Sequence, residues 1–310
     1  MTGETWPGVH NDGVIISTRN GSVNISGSAI GTGAMVEGQV VPKARGPVGG
    51  WDIGVITVLS EEARAVADML RRAGHYTTRD QSDGLRFGEA VLGPGITAIK
   101  IAGYQALGPG PLSAGHAFGH LLRYYAPAVV AVAGIAGGIH PSVQLGDVVL
   151  ALEVIHYDQR KETPEGARRR GSSYTVPAPV HNAINNFLSD RGEPCILTTV
   201  SRDGISRAFR VTAGPLGSGE AVVADEDSEI RAYLRGFNDK TLAVETEAAG
   251  LARAFYELTT PRSRTRGWLA IRGISDGADA DKNDGWHDIA SQHAAVVLEL
   301  LAPYIKRATA

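Results

Sequence analysis

The feature that most constrains this chain is a repeated ending, in which apolar runs of strand length terminate in acid. Leu269–Asp279 reads LAIRGISDGAD, an apolar run that closes on Arg272, Gly273, Ser275 and Asp276. Asp52–Leu59 runs into Glu61 and Glu62 in the same way, and Leu242–Val244 runs into Glu245 and Glu247. Continuous apolar runs are the pattern of strands buried on both faces, and open α/β sheets bind ligands at the carboxyl ends of such strands. Three strands that each deliver acid to one edge predict an α/β fold with a site along that edge.

The order of elements follows from local pattern. Ile53, Val55, Ile56, Val58 and Leu59 form a buried strand, Ser60 is the expected N-cap, and Ala63, Val66, Ala67 and Leu70 recur at helical spacing until Gly74 stops the helix. Glu61 and Glu62 fall in its first turn, where the helix dipole favours acid. Short strands are expected at Gly84–Ala90, Val91–Leu92 and Ile96–Ile101, and a helix from Leu112 to Tyr125. On it His116 and His120 stand one turn apart, but without a neighbouring glutamate or a third ligand they read as a packed or surface pair, not a metal site. Ala128–Ala133 runs into Gly134, Ile135, Ala136, Gly137 and Gly138, a candidate ligand loop whose spacing is neither the dinucleotide fingerprint nor a phosphate loop. No nicotinamide cofactor is expected. Val148–Ile155 follows at hairpin distance and makes the sheet mixed.

Beyond it, His156–Thr175 is a polar insertion carrying Arg168, Arg169 and Arg170, read as a solvated loop that a phosphate-bearing substrate could recruit. A helix over Val180–Arg191, strands over Cys195–Val200 and Phe209–Leu216, a second glycine turn at Gly217–Gly219 and a helix within Asp225–Leu234 complete the middle of the chain. The last helix spans Trp286–Leu301 and is amphipathic through Ile289, Ala290, His293, Ala294, Val297, Leu298 and Leu301. Lys282 and Asn283 read as part of a loop over the site mouth.

Composition narrows the function. Of 310 residues 43% are hydrophobic and 20% charged, with a net charge of -3, so a sizeable core is available and no general attraction to nucleic acid or an anionic membrane is expected. The single cysteine, Cys195, excludes an internal disulfide, no run approaches the roughly 20 apolar residues of a membrane span, and the start lacks the order of a signal peptide, which together point to the cytoplasm. Residues 1–50 form a separate N-terminal segment ahead of a domain over 51–310: they are rich in Gly, Ser, Thr and Asn and close on the linker-like Pro42–Gly50. Within them Gly13–Val41 alternates β-branched and small polar residues with hardly any charge, the composition of a strand that pairs with other copies or partners, with a flexible, disordered tail as the alternative reading.

Four ordered motifs carry a resemblance. IGVITVLSEEARAV (53–66), VAGIAGGIHPSVQLGDVVL (132–150), LAVETEAAGLARAF (242–255) and LAIRGISDGADADKNDGW (269–286) resemble the nucleoside phosphorylase superfamily, nearest its methylthioadenosine/S-adenosylhomocysteine nucleosidase branch, over about Trp51 to Ala302. The resemblance implies a three-layer α/β/α sandwich around a mixed, barrel-like sheet, a homo-oligomer, and chemistry on the ribosyl bond of a purine nucleoside. Breaking that bond develops positive charge on the sugar and negative charge on the base, so it needs an acid at the base and a carboxylate at the sugar. By similarity to the nucleosidases, Asp276 would donate to purine N7, held by Ser275; Glu247 would hold the ribose hydroxyls; and Glu62 would position the attacking water. Thr246 stands where the family has a methionine under the sugar. Gly137 and Ile135 belong to the glycine segment beside the site, Val222 and Val223 fall where the family packs and reads the purine, and Phe209 is a candidate to stack there. No cofactor or metal is called for.

Hydrolysis is favoured over phosphorolysis. Gly134–Gly137 carries neither hydroxyl nor charge for a phosphate, and Glu61 and Glu62 would repel one. The expected function is hydrolysis of an adenine nucleoside or nucleotide, with a phosphate-dependent phosphorylase and a non-catalytic nucleoside-binding module as alternatives. The segment NGSVNISGSAIGTGAMVEGQVV is similar to short amyloid signalling motifs at the ends of some bacterial effectors, which implies an effector in bacterial defence joined to a receptor protein through residues 13–41.

Overall fold

The computed structural model describes residues 50–192, 194–280 and 284–310. The amyloid-type stretch Gly13–Val41, the linker apart from Gly50, and the expected lid residues Lys282 and Asn283 lie outside the described residues.

The central parallel strands are those that the apolar runs mark. β1 (Ile53–Thr57) is buried at every position and lies parallel between β4 (Ile99–Gln105) and β5 (Val129–Gly138). β13 (Gly267–Asp276), also buried throughout, continues parallel beside β5. Past it the order runs β6 (Val148–His156), β11 (Ser206–Ser218) and β10 (Cys195–Val200), and on the other side β4 is followed by β3 (Arg86–Leu92) and β2 (Gly74–Asp80). The short β12 (Ala243–Glu245) pairs with both β11 and β5, so β11, β6, β13, β5 and β12 close into a five-stranded barrel. Closure brings the ends of β5, β12 and β13 together and gives the edge the sequence predicted.

Helices cover the sheet on two sides, which makes the expected three layers. α1 (Ser60–Ala73), α3 (Ala178–Arg191) and α6 (His287–Thr309) pack together on one side, and α2 (Pro111–Tyr124) packs on α5 (Ala248–Leu258). α4 (Glu229–Phe237) precedes β12.

Several local expectations are corrected. β2 was not legible because GHYTTRD is polar and the strand sits at the sheet edge, mostly exposed. The glycine segment is not a loop, since β5 runs straight through Gly138, and likewise β11 runs through Gly217 to Ser218. β6 does not hairpin onto β5; β13 lies between them, antiparallel to β6, so the sheet is mixed for a different reason. The polar insertion is ordered: β7 (Arg160–Thr163) and β8 (Gly166–Arg169) form a two-stranded hairpin, and β9 (Ser172–Thr175) returns to pair with β6. α6 continues through Pro303 to Thr309, held by the buried Ile305. His120 packs edge-on to the Tyr104 ring at 5.4 Å.

Candidate active site

The acid-bearing strand ends converge on one cavity of about 230 Å³, and Glu62, Glu245, Glu247 and Asp276 all line it. Each acid is placed by its own element. Glu62 lies in the first turn of α1, but it is 3% exposed and turns back toward the sheet. Its Oε2 accepts the N–H groups of Val58 at 2.8 Å and Leu59 at 3.0 Å, and its Oε1 accepts that of Ile135 at 2.9 Å. The cap residue of α1 is therefore Leu59; Ser60, the expected cap, donates its hydroxyl to Glu61. The glycines of β5 make room for these acids: a Cβ on Gly134 would collide with Glu62 Oε1 and Arg272 Nη1, and one on Gly137 would lie 2.8 Å from Asp276 Oδ1. The absence of side chains there serves the close approach of carboxylates rather than a phosphate.

Arg272 is the unanticipated centre. It is wholly buried in β13, and its Nη2 pairs with Glu245 and, at 2.7 Å, with Glu247 Oε2, while Nη1 stands 3.8 Å from Glu62 Oε1. Burial alone would lower its pKa, but the three carboxyls reverse this and hold it above the ordinary guanidinium value. One positive charge cannot balance three negative ones. Burial accordingly pushes the Glu62 carboxyl above the ordinary carboxylate range, opposed by Arg272 and reinforced by the charge of Glu247. Glu245 is pushed up for the same reasons. Glu245 also accepts the N–H groups of Glu247 at 3.0 Å and Ala248, fastening the start of α5, which gives it a structural role that the sequence reading did not assign.

Glu247 immediately precedes α5 and is already satisfied by protein groups. Its Oε1 accepts the Gly110 N–H at 3.0 Å and the Thr246 hydroxyl at 2.5 Å. Thr246 thus orients the acid at its side. Asp276 ends β13 at a bulge, where Ile274 and Asp276 face consecutive residues of β5 and Ser275 is the extra one. Ser275 donates its hydroxyl to Asp276 Oδ2 at 2.9 Å, and the Ala278 N–H donates to Oδ1 at 2.9 Å.

Of the other expected site residues, Ile135, Gly137, Thr246 and Ser275 line the cavity, as do Val222 and Val223. Val222 is 65% exposed and Val223 buried, so they form part of the mouth and wall on the segment after β11. Phe209 is not there. It is buried in β11 and stacks on His293 with ring centroids 3.9 Å apart, a core contact. The lining side chains that were not expected include Tyr157, whose hydroxyl donates to the Ala221 carbonyl at 2.7 Å, and His287, at the start of α6 and 3.7 Å from Glu61. Among the described residues, no lysine or arginine lines the cavity.

The chain is similar to known proteins. ATP nucleosidase Cap17 of Escherichia coli (strain KTE188) is 27% identical over 258 residues, which cover 78% of this chain and 49% of that protein, so the chain spans about half the length of that relative. The 5′-methylthioadenosine/S-adenosylhomocysteine nucleosidase of Bacillus licheniformis is 29% identical over 189 residues, covering 60% of this chain and 73% of the relative. The crystal structure of the corresponding Neisseria meningitidis nucleosidase in complex with methylthio-immucillin-A superposes with a TM-score of 0.60 at 20% identity, over 83% of this chain and 99% of that one. The family model described as the phosphorylase superfamily matches residues 52–306, from the residue before β1 to the last turns of α6. With the barrel, its acid-bearing strand ends and that match in agreement, the chain belongs to the phosphorylase superfamily.

Proposed function

We propose that this protein is a purine nucleosidase that hydrolyses the N-glycosidic bond of an adenine nucleoside or nucleotide. The observation that carries this reading is the charge of the cavity, in which four carboxyl groups face one space and Arg272 beside it is engaged by three of them. Such a lining suits the positive charge that develops on a ribose ring and repels inorganic phosphate. The Ile135 N–H, which could otherwise hold a phosphate oxygen, is turned to Glu62. The nucleosidase names borne by the similar proteins support the same class of reaction.

In the proposed mechanism Glu62 takes a proton from water as its oxygen bonds to C1′. The C1′–N9 bond breaks, its electrons pass to the purine, and Asp276 delivers a proton at N7. Ser275 holds Asp276 in place, and Glu247, set by Thr246 and Gly110, binds the ribose hydroxyls. Val222 and Val223 pack the base. The test is product identity: in phosphate-containing buffer the sugar product is free ribose or its 5′-phosphorylated form, with oxygen from labelled water at C1′. Ribose 1-phosphate as the product would overturn the hydrolytic reading in favour of phosphorolysis.

Recruitment as an effector through residues 13–41 rests on their sequence alone. Deletion of residues 1–50 tests it: unchanged assembly and cellular effect would remove that idea and leave the enzyme.

A further inference from the structure

The β7–β8 hairpin carries an arrangement that the fold does not explain. Its register places Arg160 opposite Arg169 and Lys161 opposite Arg168. Like charges directly opposite across an antiparallel pair are destabilising, and a two-stranded ribbon has little else to hold it. The acids within reach do not cure this. Glu162 pairs with Arg160 at 2.6 Å and Glu165 approaches Arg168 at 3.8 Å, both fully in solvent where such pairs contribute little. Lys161 and Arg170 are exposed as well. Local conflict of this kind marks sites that something else completes.

The hairpin is also tied to the candidate site. It leaves the carboxyl end of β6 at His156, immediately before the cavity-lining Tyr157, and returns to β6 through β9. Arg169 Nη1 donates to the Tyr157 carbonyl at 3.0 Å, and the Arg170 N–H donates to the Gln159 carbonyl at 2.6 Å. Arg160 and Arg169 share one face of the ribbon, and Lys161 and Arg168 the other. Among the described residues, no lysine or arginine lines the cavity to receive phosphate.

We propose that the hairpin is the polyphosphate anchor of the substrate, and that the substrate class is a nucleoside 5′-polyphosphate. The proposal rests on the nucleosidase reading above. The acid-lined cavity takes base and ribose, while a chain of phosphates reaches the hairpin and bridges the opposed cations by charge-assisted hydrogen bonds.

The test compares ATP with adenosine, using wild type and a triple variant, Arg160→Ala, Lys161→Ala and Arg168→Ala, that leaves Arg169 and its bond to Tyr157 in place. The expected result is a kcat/KM for ATP lowered about 100-fold, the size of two lost charge-assisted contacts, with adenosine turnover unchanged. The wild-type preference for ATP should shrink as salt is raised, and that of the variant should not. Calorimetry with inorganic tripolyphosphate supplies a readout independent of turnover: the wild type binds it and the variant does not. Equal turnover of ATP by both proteins, or equal losses on ATP and adenosine, would overturn the anchor while leaving the nucleosidase standing. Tripolyphosphate binding lost in the variant while no nucleoside or nucleotide releases base would place the failure in the nucleosidase reading. Binding to RNA or anionic vesicles, with no discrimination between ATP and adenosine, would assign the hairpin to a different partner and overturn the proposal.

Discussion

In the cavity, three carboxyls crowd around one guanidinium and every acid is held, Glu62 by three backbone N–H groups, Glu245 by the start of α5, and Glu247 by Gly110 and Thr246. In the β7–β8 hairpin, cation faces cation across the ladder, and only Arg169 reaches back to the body of the molecule. One region is a buried, internally hydrogen-bonded cluster of acid; the other is an exposed cluster of base on a ribbon. Hydrogen bonds from the protein hold the first in place, and the second is the one open to a polyanion. The two halves of a nucleotide, a sugar that becomes cationic and a phosphate chain that is anionic, call for these two environments.

The comparison breaks most severely at Arg272. Replacing it by Met removes the counter-charge from three buried carboxyls and should cost about 3–5 kcal/mol of stability, read from the urea unfolding midpoint. The deficit should shrink as pH falls, because protonated carboxyls need no counter-charge. A variant as stable as the wild type at neutral pH would mean that the cluster is not held by this ion pair.

Next in size is Glu62→Gln. It keeps the shape of the side chain and removes the base, and should lower kcat by about 10²- to 10⁴-fold with little change in KM. A loss confined to KM would make Glu62 a binding group only.

The pH profile sharpens the same point. Glu62 must be ionised to accept a proton from water, and its pKa is raised by burial and by Glu247. Activity should therefore fall on the acid side at a pH above the ordinary carboxylate range. For stability the sign is opposite: the folded state holds this proton more tightly than the unfolded chain, so the contribution is fully present below the unfolded pKa and is lost as pH rises through the folded one. An acid limb at or below the ordinary carboxylate range would contradict the desolvated environment.

The smallest expected effect belongs to the hairpin. Lys161→Glu turns the pair opposite Arg168 from repulsive to attractive, and should slow amide exchange in β7 and β8 a few-fold while weakening tripolyphosphate. Faster exchange would show that the opposed cations are not a source of strain.

What the sequence disclosed follows the physics of each region. β1, β5 and β13 were legible because strands covered on both faces must be apolar throughout, and the acids that follow β1 and end β13 stood out against that background. The assignment of Glu62, Glu247 and Asp276 to one site rested on the resemblance, and the barrel closed by β12 brings all three to one cavity. Arg272 was visible as the one charge inside LAIRGIS, yet its partners depend on closure and could not be read from the run. Phe209 was misplaced because an aromatic in an apolar strand looks the same facing core or ligand; here the core, through His293, claims it. The hairpin escaped because its strands bury almost nothing and so lack an alternating pattern.

The most direct test of the central claim is base release from ATP and adenosine, followed by chromatography with and without phosphate, for wild type beside Asp276→Asn. The account predicts free adenine from the wild type in the absence of phosphate, lost in the variant. Release that requires phosphate, or that survives unchanged in Asp276→Asn, would contradict it.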